Sequence, residues 1–407
     1  MAGLAWSQRA RRARTRPTIL AITHDLFEKD LAEIDRYGRL NWIFLNKRKF
    51  GHSQKRLLPP EVRRQRFYYP SLSDPKYSAH WRDIEAFGIG LMAAIRMQGP
   101  VDAVLSAHVD YWQDEAIRRT CTRLGIPFLV LCQENYNIPK TYRARQDEFA
   151  TIGFRFGGNG IATFSDHMRD LFVTSGVCAA DRILATGAPR LDGWQRTTGR
   201  AGKRVVLLSF LDSSKYYASG DFFYSVMASL QRAVQKAGDG WELVVKSKNS
   251  AGSAAILERL GSGQHVNAWH DIPLPELLSS ASVVVGSSSL SMVEGLLSPA
   301  ELFVPMSDGS ASSDTSMFDP ADELTGRCVN FVDSPEQLEA AVTNRLEQGP
   351  PAIDRRARLA LVQRYVRYTE GETSAERVID FIERHVTSTA SADTVPASAA
   401  KTPPLKA

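Results

Sequence analysis

Short apolar runs alternate with segments of helical spacing along the first half of the chain. Each run is rich in β-branched or aromatic residues and stops at polar ones, which is typical of a buried strand that ends at a loop. The predicted strands are 17–23, 40–45, 101–107, 128–131, 161–164 and one from 182, and the predicted helices are 28–37, 84–97, 112–124 and 165 toward 176. Because strand and helix alternate, the pattern predicts βαβ units and a parallel, doubly wound sheet.

A second series of strands and helices follows a short polar segment. Residues 196–203 are polar and contain glycine, as a linker does, and 204–209 then begins a new run of strands. The later predicted strands are 241–246, 281–286 and 301–305, and the predicted helices are 222–237, 290–297, 335–346, 353–368 and 373–386. The pattern therefore predicts an α/β protein with a second parallel sheet.

These patterns divide the chain into six parts. Residues 1–16 are predicted to be a disordered basic arm, and 387–407, rich in Ala, Ser, Thr and Pro, a disordered tail. Between them we expect a first domain at 17–195, the linker at 196–203, a second domain at 204–350 and closing helices at 351–386. A chain of 407 residues, of which 43% are hydrophobic and 23% charged, is long enough for two such cores.

Three serines separate a predicted strand from a predicted helix in the second domain. Ser287, Ser288 and Ser289 follow the run that ends in Gly286. Unpaired backbone N–H groups, hydroxyls and the positive end of the helix dipole meet there, which suits a phosphate group. Glu294 lies further along the helix, where its carboxylate could accept hydrogen bonds from ribose hydroxyls. The alternative is an ordinary serine N-cap followed by a solvated glutamate.

Polar residues also follow other predicted strands at their carboxyl ends, where binding groups collect in open α/β sheets. In the second domain Ser209 and Lys246 end two strands, and Lys246 is either a partner for a phosphate or a simple surface lysine. In the first domain the strand ends carry candidate proton acceptors, namely His24, Asp25, His108, Asp110 and Glu134. Helix capping or a hydrogen bond in the core is the alternative role for these side chains.

Three motifs resemble a known group of proteins. The pattern D-I-P-x-x-E-L-L-x-x-A-x-V-V-V-G-S-S-S-x-x-x-x-E, from Asp271 to Glu294, resembles the donor-binding half of two-domain GT-B glycosyltransferases. R-L-G-I-P-F-L-V-L-C-Q-E-N, from Arg123, and I-L-A-T-G-A-P-R-x-D, from Ile183, are similar to segments of the bacterial capsule and lipopolysaccharide transferases. These include sialyl- and Kdo-transferase-like enzymes and CDP-glycerol glycerophosphotransferases, and the resemblance extends from Ser106 to about His385.

The resemblance implies a GT-B-like fold, in which two Rossmann-like domains face a cleft and the closing helices cross back to the first domain. It implies that the first domain binds the acceptor and contributes the base, with Glu134 as the first candidate. It implies that the second domain binds a nucleotide-activated donor through Ser209, Lys246, His270, Asp271, Ser287, Ser288, Ser289 and Glu294, together with Arg190 of the crossing strand. The chain has Ser247-Lys-Asn249 where the sialyl- and CDP-glycerol-type families have a His-Pro pair, so the resemblance does not assign a CMP or CDP donor.

Positive charge is concentrated at the front of the chain. The net charge is +5, and because residues 1–100 contain 19 Lys and Arg against 9 Asp and Glu, a balance of +10, the remainder carries −5. The basic clusters are Arg9 to Arg16, Lys47 to Lys49, Lys55-Arg56, and Arg63-Arg64 with Arg66. Such clusters attract phosphates, and without a nucleic-acid-binding motif they favour an anionic membrane surface or a lipid-linked acceptor over nucleic acid. The alternative is a solvated face without function.

Cysteine spacing and hydropathy bear on cofactors and location. None of the four cysteines forms a C-x-x-C pair, and no clear D-x-D ends a strand, so we expect reduced thiols and neither a metal nor another cofactor. No apolar run approaches the roughly 20 residues that span a bilayer, and the N-terminus lacks a signal-type apolar segment. The expected location is therefore the cytoplasm. The basic clusters suggest in addition a peripheral position at the inner face of the cytoplasmic membrane.

Three functions fit these observations. The first is a metal-independent glycosyltransferase that moves a sugar or polyol-phosphate from a nucleotide donor to a surface polysaccharide or glycolipid. The second is a nucleotide-sugar epimerase of the same fold, which acts on one soluble substrate. The third is a non-catalytic scaffold at a membrane surface, in which the serine-rich turn is only a helix cap.

Overall fold

The computed structural model describes residues 15–24, 27–63, 68–133, 141–210, 220–238, 240–247, 250–260, 266–287, 289–306, 317–349 and 352–392. Three predicted site residues, Asp25, Glu134 and Ser288, lie outside these ranges. So do residues 1–14 of the predicted arm and 393–407 of the predicted tail. Their predicted roles therefore stay predictions.

The first domain is built on a sheet of six parallel strands in the order β2-β1-β3-β4-β5-β6. The strands are β1 (Thr18–Thr23), β2 (Asn41–Asn46), β3 (Ala103–Ser106), β4 (Phe128–Leu131), β5 (Gly160–Thr163) and β6 (Ile183–Ala185). Strands β3, β4 and β5 are buried along their whole length, which explains why their sequences are continuous apolar runs without alternation. The prediction of a parallel, doubly wound first sheet is confirmed.

Helices and turns connect these strands. They are α1 (Phe27–Asp35), α2 (Lys47–Gln54), α3 (Tyr68–Ser71), α4 (Ser78–Arg96), α5 (Glu115–Leu124), α6 (Tyr142–Thr151) and α7 (Asp166–Thr174), with 3₁₀ helices at Pro75–Tyr77, Trp112–Asp114, Ala180–Arg182 and Pro189–Arg196. Gly125 ends α5 in the left-handed conformation with φ of 66°. The α5 helix is therefore shorter than the predicted 112–124, because its first turn is a separate 3₁₀ helix.

The second domain repeats the plan with the order β12-β11-β10-β7-β8-β9, again all parallel. Its strands are β7 (Arg204–Leu208), β8 (Glu242–Lys246), β9 (Val266–Trp269), β10 (Val283–Val285), β11 (Glu301–Pro305) and β12 (Asn330–Val332). Its helices are α8 (Gly220–Ala237), α9 (Ser250–Leu260), α10 (Leu274–Ser279), α11 (Leu290–Gly295), α12 (Glu323–Gly326) and α13 (Pro335–Glu347). The closing helices are α14 (Arg355–Tyr365) and α15 (Ser374–Ala392).

The core is continuous between the two domains on one side of the second sheet. Val206 and Val284 belong to the same apolar cluster as the strands of the first sheet, whereas Val205 and Val283 face a second cluster formed with α8 and α13. Successive residues of one strand thus pack into two different cores, because side chains alternate between the two faces of a sheet. The first domain and one face of the second therefore share buried apolar surface.

Two features of the sequence-based description are wrong. The helix after the three serines ends at Gly295, so Leu297 lies in the following turn and not on the helix, in keeping with the proline at 299. The basic cluster Lys47 to Lys49 was counted among those that attract phosphates. Instead α2, which begins at Lys47, packs against the 3₁₀ helix Trp112–Asp114, and Lys47 is buried and paired with Asp114 at 3.3 Å. Lys47 therefore does not belong to an exposed basic cluster.

The closing helices return to the first domain, as predicted. Asp192, at the crossing between the domains, accepts hydrogen bonds from the backbone N–H groups of Ser374 and Ala375 at 2.9 and 2.8 Å. These bonds satisfy the first turn of α15, which packs against α1 and the 3₁₀ helix Pro189–Arg196. Among the described residues no helix has the length and apolarity that a membrane crossing requires.

A glycine substitution tests this crossing. Gly187 has φ of 85°, and a Cβ at this position would overlap the carbonyl oxygen of Arg367 and the hydroxyl of Ser374. Gly187→Ala therefore combines backbone strain with a backbone clash, and we expect it to lower the free energy of unfolding by roughly 3 kcal/mol or more. The measurement is equilibrium denaturation by urea.

Gly371→Ala is the matched control. Gly371 also has φ of 85°, but a Cβ there meets no atom within 4 Å. This variant carries only the backbone strain, of about 1–2 kcal/mol. Equal losses in the two variants would show that the close approach at Gly187 does not matter.

Candidate functional site

Polar residues collect at the carboxyl edge of the second sheet. Ser209 follows β7, Lys246 ends β8, and His270 follows β9. The register places Leu208 opposite Lys246 and Lys246 opposite Trp269, and the Ser209 N–H donates to the Lys246 carbonyl at 2.9 Å. The structure therefore brings these predicted donor-site residues to one edge, while His270 and Asp271 are exposed beside them.

Lys246 is partly buried at this edge. Its Nζ donates to the carbonyl oxygen of His270. The pKa of Lys246 is lowered to about 8, mainly by burial and then by the Lys29 ammonium, while Asp271 opposes the shift. Lys29 belongs to the first turn of α1 in the other domain, so two cations from different domains lie within electrostatic reach. The sequence analysis missed Lys29, although its place just after β1 in a helix N-terminal turn was a usable signal.

The turn between β10 and α11, which contains the three serines, lacks the side-chain hydrogen bond of an ordinary serine cap. Ser289 occupies the N-cap position of α11, yet its side chain makes no capping hydrogen bond. Ser287 and Ser289 are both partly exposed. A Cβ on Gly286 would lie 2.7 Å from Met292 Sδ and 3.2 Å from Leu208 Cβ, so a larger residue there would have to displace the Met292 side chain. The interpretation of Ser289 as a side-chain cap is therefore wrong, and the phosphate role of the junction stays a prediction.

Glu294 is buried, which excludes the alternative of a solvated glutamate. Its side chain points toward the first domain, where Trp194 Nε1 donates to Oε2 at 3.4 Å. Burial raises the pKa of Glu294 to about 7, and the nearby Arg190 guanidinium and the Trp194 hydrogen bond limit the rise. Trp194 and Arg190 thus already interact with this carboxylate. Its contact with a ribose stays a prediction.

Arg190 lies in the same cluster and is held by Asp30. The backbone N–H and the Nε of Arg190 each donate to Asp30 Oδ1 at 3.0 Å, and Gln133 Nε2 donates to Oδ2 at 2.7 Å. Asp30 is fully buried on α1. We call Asp30, Arg190, Trp194 and Glu294 the domain junction, since they join α1, the crossing segment and α11. Sequence reasoning missed Asp30, whose position on the face that Phe27 and Ile34 share was the available signal.

The carboxyl edge of the first sheet carries a set of stacked rings. His24 stacks on His108 with ring centroids 4.7 Å apart, and His108 lies 3.9 Å from the ring of Tyr111. We call these three residues the histidine stack. Asp110, the next polar residue of the β3 end, is fully buried. The structure thus brings together three of the predicted base candidates, His24, His108 and Asp110, in one part of the first domain.

Disulfide bonds and metal sites require cysteine, histidine or carboxylate side chains that lie close together. The four cysteines are buried thiols. Within the described ranges, no group of three or more His, Cys, Asp or Glu residues could hold a metal ion. The expectation of a metal-independent site stays a prediction.

Comparison with known proteins identifies the fold. No family model matches the chain, and no curated protein matches it. It is similar in structure to the UDP-GlcNAc 2-epimerase of Neisseria meningitidis bound to UDP-GlcNAc, with a TM-score of 0.51, 11% identity, and 90% of this chain and 100% of that chain covered.

Two further similar structures carry names that point to other ligands or activities than the epimerase. UGT89C1 of Arabidopsis thaliana, complexed with UDP-L-rhamnose, has a TM-score of 0.52 at 13% identity, with 93% and 100% of the two chains covered. The wall teichoic acid polymerase TagF has a TM-score of 0.51 at 13% identity, with 92% and 89% covered. With two parallel six-stranded sheets the chain therefore has the predicted GT-B-like fold.

The raised pKa of Glu294 predicts a pH dependence of stability. In the unfolded chain this carboxyl titrates near 4.5, whereas in the folded chain it titrates near 7. The folded state thus binds more protons between these values, and its stability falls as pH rises through this window, by on the order of 3 kcal/mol in total. Glu294→Gln cannot ionise, so we expect its free energy of unfolding to lose this part of the slope.

The measurement is urea denaturation at a series of pH values from 4 to 8. Glu258→Gln, an exposed glutamate of α9, serves as the control and should keep the wild-type slope. A Glu294→Gln curve parallel to the wild-type curve would contradict the assignment.

Proposed function

We propose that this protein is a glycosyltransferase that uses a nucleotide-activated sugar. The observation that carries the proposal is Lys246, a partly buried cation at the carboxyl edge of the second sheet, facing Lys29 of the first domain. A desolvated lysine between two lobes fits the diphosphate or monophosphate of a donor. Ser287, Ser288 and Ser289 are proposed to add hydroxyl and amide donors, and Ser209, His270 and Asp271 to line the nucleotide.

The reaction requires a base from the first domain and groups that stabilise the negative charge of the leaving nucleotide. The base takes the proton of the acceptor hydroxyl, the hydroxyl oxygen bonds to the anomeric carbon, and the bond from that carbon to the phosphate oxygen breaks with its electron pair. Lys246 and the serines stabilise the charge on the departing nucleotide. His24 in the histidine stack is the described residue that we propose as base, and Glu134 remains the candidate that the resemblance favours.

Donor and acceptor class follow from the neighbours and the motifs. The neighbours include proteins whose structures hold UDP-GlcNAc or UDP-L-rhamnose, which supports a nucleotide sugar as donor. The motifs support a bacterial capsule or lipopolysaccharide transferase of the Kdo-, sialyl- or CDP-glycerol type, and so a surface polysaccharide or glycolipid acceptor. Arg48, Lys49, Lys55 and Arg56 are exposed and support a peripheral position on an anionic membrane from the cytoplasmic side.

A nucleotide-sugar epimerase is the second candidate. The similarity to the epimerase of Neisseria meningitidis favours it, because that structure has the same fold and binds UDP-GlcNAc. An epimerase converts its substrate without any acceptor, whereas a transferase releases free nucleotide only when an acceptor is present. A scaffold would do neither and would not bind nucleotides at all.

Lys246→Gln tests the donor site. With purified protein and a panel of UDP-, CMP-, CDP- and GDP-sugars, we expect one donor to raise the melting temperature of the wild type. Loss of the charged partner should weaken its binding by on the order of ten- to hundred-fold. Because Lys246 loses its proton near pH 8, wild-type affinity should fall as pH rises through that value, and the variant should not show this fall.

Lys236→Gln is the control for this experiment. Lys236 is an exposed lysine of α8 that pairs with Glu339 at 2.5 Å, away from the strand ends. It should leave the affinity and its pH dependence unchanged. Stabilisation by no member of the panel would contradict both enzymatic candidates.

His24→Gln tests the base. We expect acceptor-dependent release of nucleotide to fall by roughly hundred- to ten-thousand-fold, with donor affinity unchanged, because a base acts only on the acceptor proton. His80→Gln removes a histidine of α4 that contacts the Leu57 carbonyl at 2.9 Å and should keep full activity. Full activity of His24→Gln would transfer the role to Glu134 or another acid of the first domain.

A further inference from the structure

A cavity lies between the edge strand β6 of the first sheet and the closing helix α15. Its volume is about 270 Å³, and residues 181–184 line it together with Phe381, Arg384 and His385. Residues 181 and 182 precede β6, which begins at Ile183, so the cavity lies at the amino end of this strand. The histidine stack lies at the carboxyl edge of the same parallel sheet. The cavity, which we call the edge cavity, is therefore separate from the candidate active site.

Backbone groups fix Arg182 at the edge cavity. Its Nε donates to the carbonyl oxygen of Asn159 at 3.1 Å, and its Nη2 donates to that of Gly158. Asp181 is next to it in the sequence, yet among the described residues Arg182 forms no ion pair with a carboxylate. The two carbonyl bonds hold the guanidinium in place and leave its positive charge without a counter-charge.

Arg384 brings a second such charge from α15. Its Nε donates to the carbonyl oxygen of Asp380, one turn earlier, at 3.2 Å. An acid four residues before an arginine on a helix is well placed to pair with it. Here the carboxylates of Asp380 and Glu383 pair instead with Arg39. Within the described ranges Arg384 therefore forms no ion pair either.

The remaining walls of the edge cavity are aromatic and apolar, with one acid. His385 and Phe381 lie so close to the start of β5 that a Cβ on Gly160 would be 2.7 Å from His385 Nε2 and 2.8 Å from Phe381 Cζ. Leu184 is half-buried, and Asp181, the one carboxylate of the lining, is exposed. The edge cavity thus combines two unpaired guanidinium groups with an apolar wall.

These groups define the kind of ligand. Guanidinium groups bind phosphate and carboxylate oxygens, which match the planar fork of their N–H donors. The volume lies just below the roughly 300–1,000 Å³ that is usual for sites of drug-sized ligands, so a smaller molecule fits it. The apolar wall favours an organic anion over inorganic phosphate, because it removes carbon atoms from water.

We propose that the edge cavity binds a small organic anion whose phosphate or carboxylate group lies between Arg182 and Arg384. Such a ligand links α15 to the turn before β5 and so stabilises the closing helix on the first sheet. Asp181 opposes binding through its negative charge. The proposal is independent of the proposed transferase, since it uses no residue of the donor site or of the histidine stack.

Isothermal titration calorimetry tests the ligand class. We expect glycerol 3-phosphate, citrate or both to bind to the wild type, and neutral glycerol not to bind. The affinity should fall as the NaCl concentration rises, because salt screens partly exposed charges. Binding of one anion alone identifies phosphate or carboxylate as the preferred group. Binding of neither anion would overturn the proposal.

Charge variants locate the binding in the edge cavity. Arg384→Gln should weaken binding of the anion by about tenfold, and Asp181→Asn should strengthen it by about twofold. Arg384 is exposed and bonds only to its own helix, so the variant should keep the wild-type melting temperature. Arg96→Gln, which removes an exposed arginine at the end of α4, is the matched control and should leave the affinity unchanged. Equal affinity of Arg384→Gln and wild type would show that the anion binds elsewhere.

Two further measurements separate this site from the donor site. Lys246→Gln should keep the anion affinity, and Arg384→Gln should keep the binding of the nucleotide sugar. In the wild type the anion should slow amide hydrogen exchange in α15 and in the segment 158–163. Loss of anion binding in Lys246→Gln, or protection confined to the second domain, would assign the anion to the donor site and refute the edge cavity.

Discussion

The arrangement of the two domains depends on a buried charged contact. Asp30 of the first domain binds Arg190 of the crossing segment through both carboxylate oxygens, and Arg190 faces Glu294 of the second domain. One guanidinium therefore lies between two carboxylates away from solvent. Removing it would leave the buried Asp30 and Glu294 without their cationic partner, which is far more costly than losing a surface ion pair. The Trp194–Glu294 hydrogen bond extends the contact across the domain boundary.

This junction lies next to residues of both candidate half-sites. Lys29 precedes Asp30 on α1 and reaches Lys246 electrostatically, while Gln133, at the end of β4, contacts Asp30. The elements that hold the domains together are thus adjacent to those proposed to hold a nucleotide. A transferase of this fold needs its donor and acceptor sites on different lobes and water kept out between them, and a rigid buried contact beside the sites serves both needs.

Much of the fold was predictable from the chain because its central strands are largely buried. Runs such as Phe128–Leu131 and Val283–Val285 are apolar at every position, so their existence follows from local sequence. Helix limits were less predictable. The helix after the three serines stops at Gly295, ahead of Pro299, and Trp112–Asp114 forms a separate 3₁₀ turn, although the apolar spacing of both segments continues beyond these limits.

The candidate site also has a part that was predictable from the sequence and a part that was not. The sequence by itself determined which residues stand at strand ends, among them His24, His108, Ser209 and Lys246, since strand order along the chain places every carboxyl end at one edge of a parallel sheet. Only the tertiary structure decided what surrounds each one. Glu294 is buried, which excludes the solvated alternative, Lys47 was counted in a basic cluster and is paired with Asp114, and the pairing of Asp30 with Arg190 could not be read from its place on one helix face. Burial and ion pairing arise between segments far apart in the chain, such as α1 with the crossing segment, and spacing along one segment does not encode such contacts.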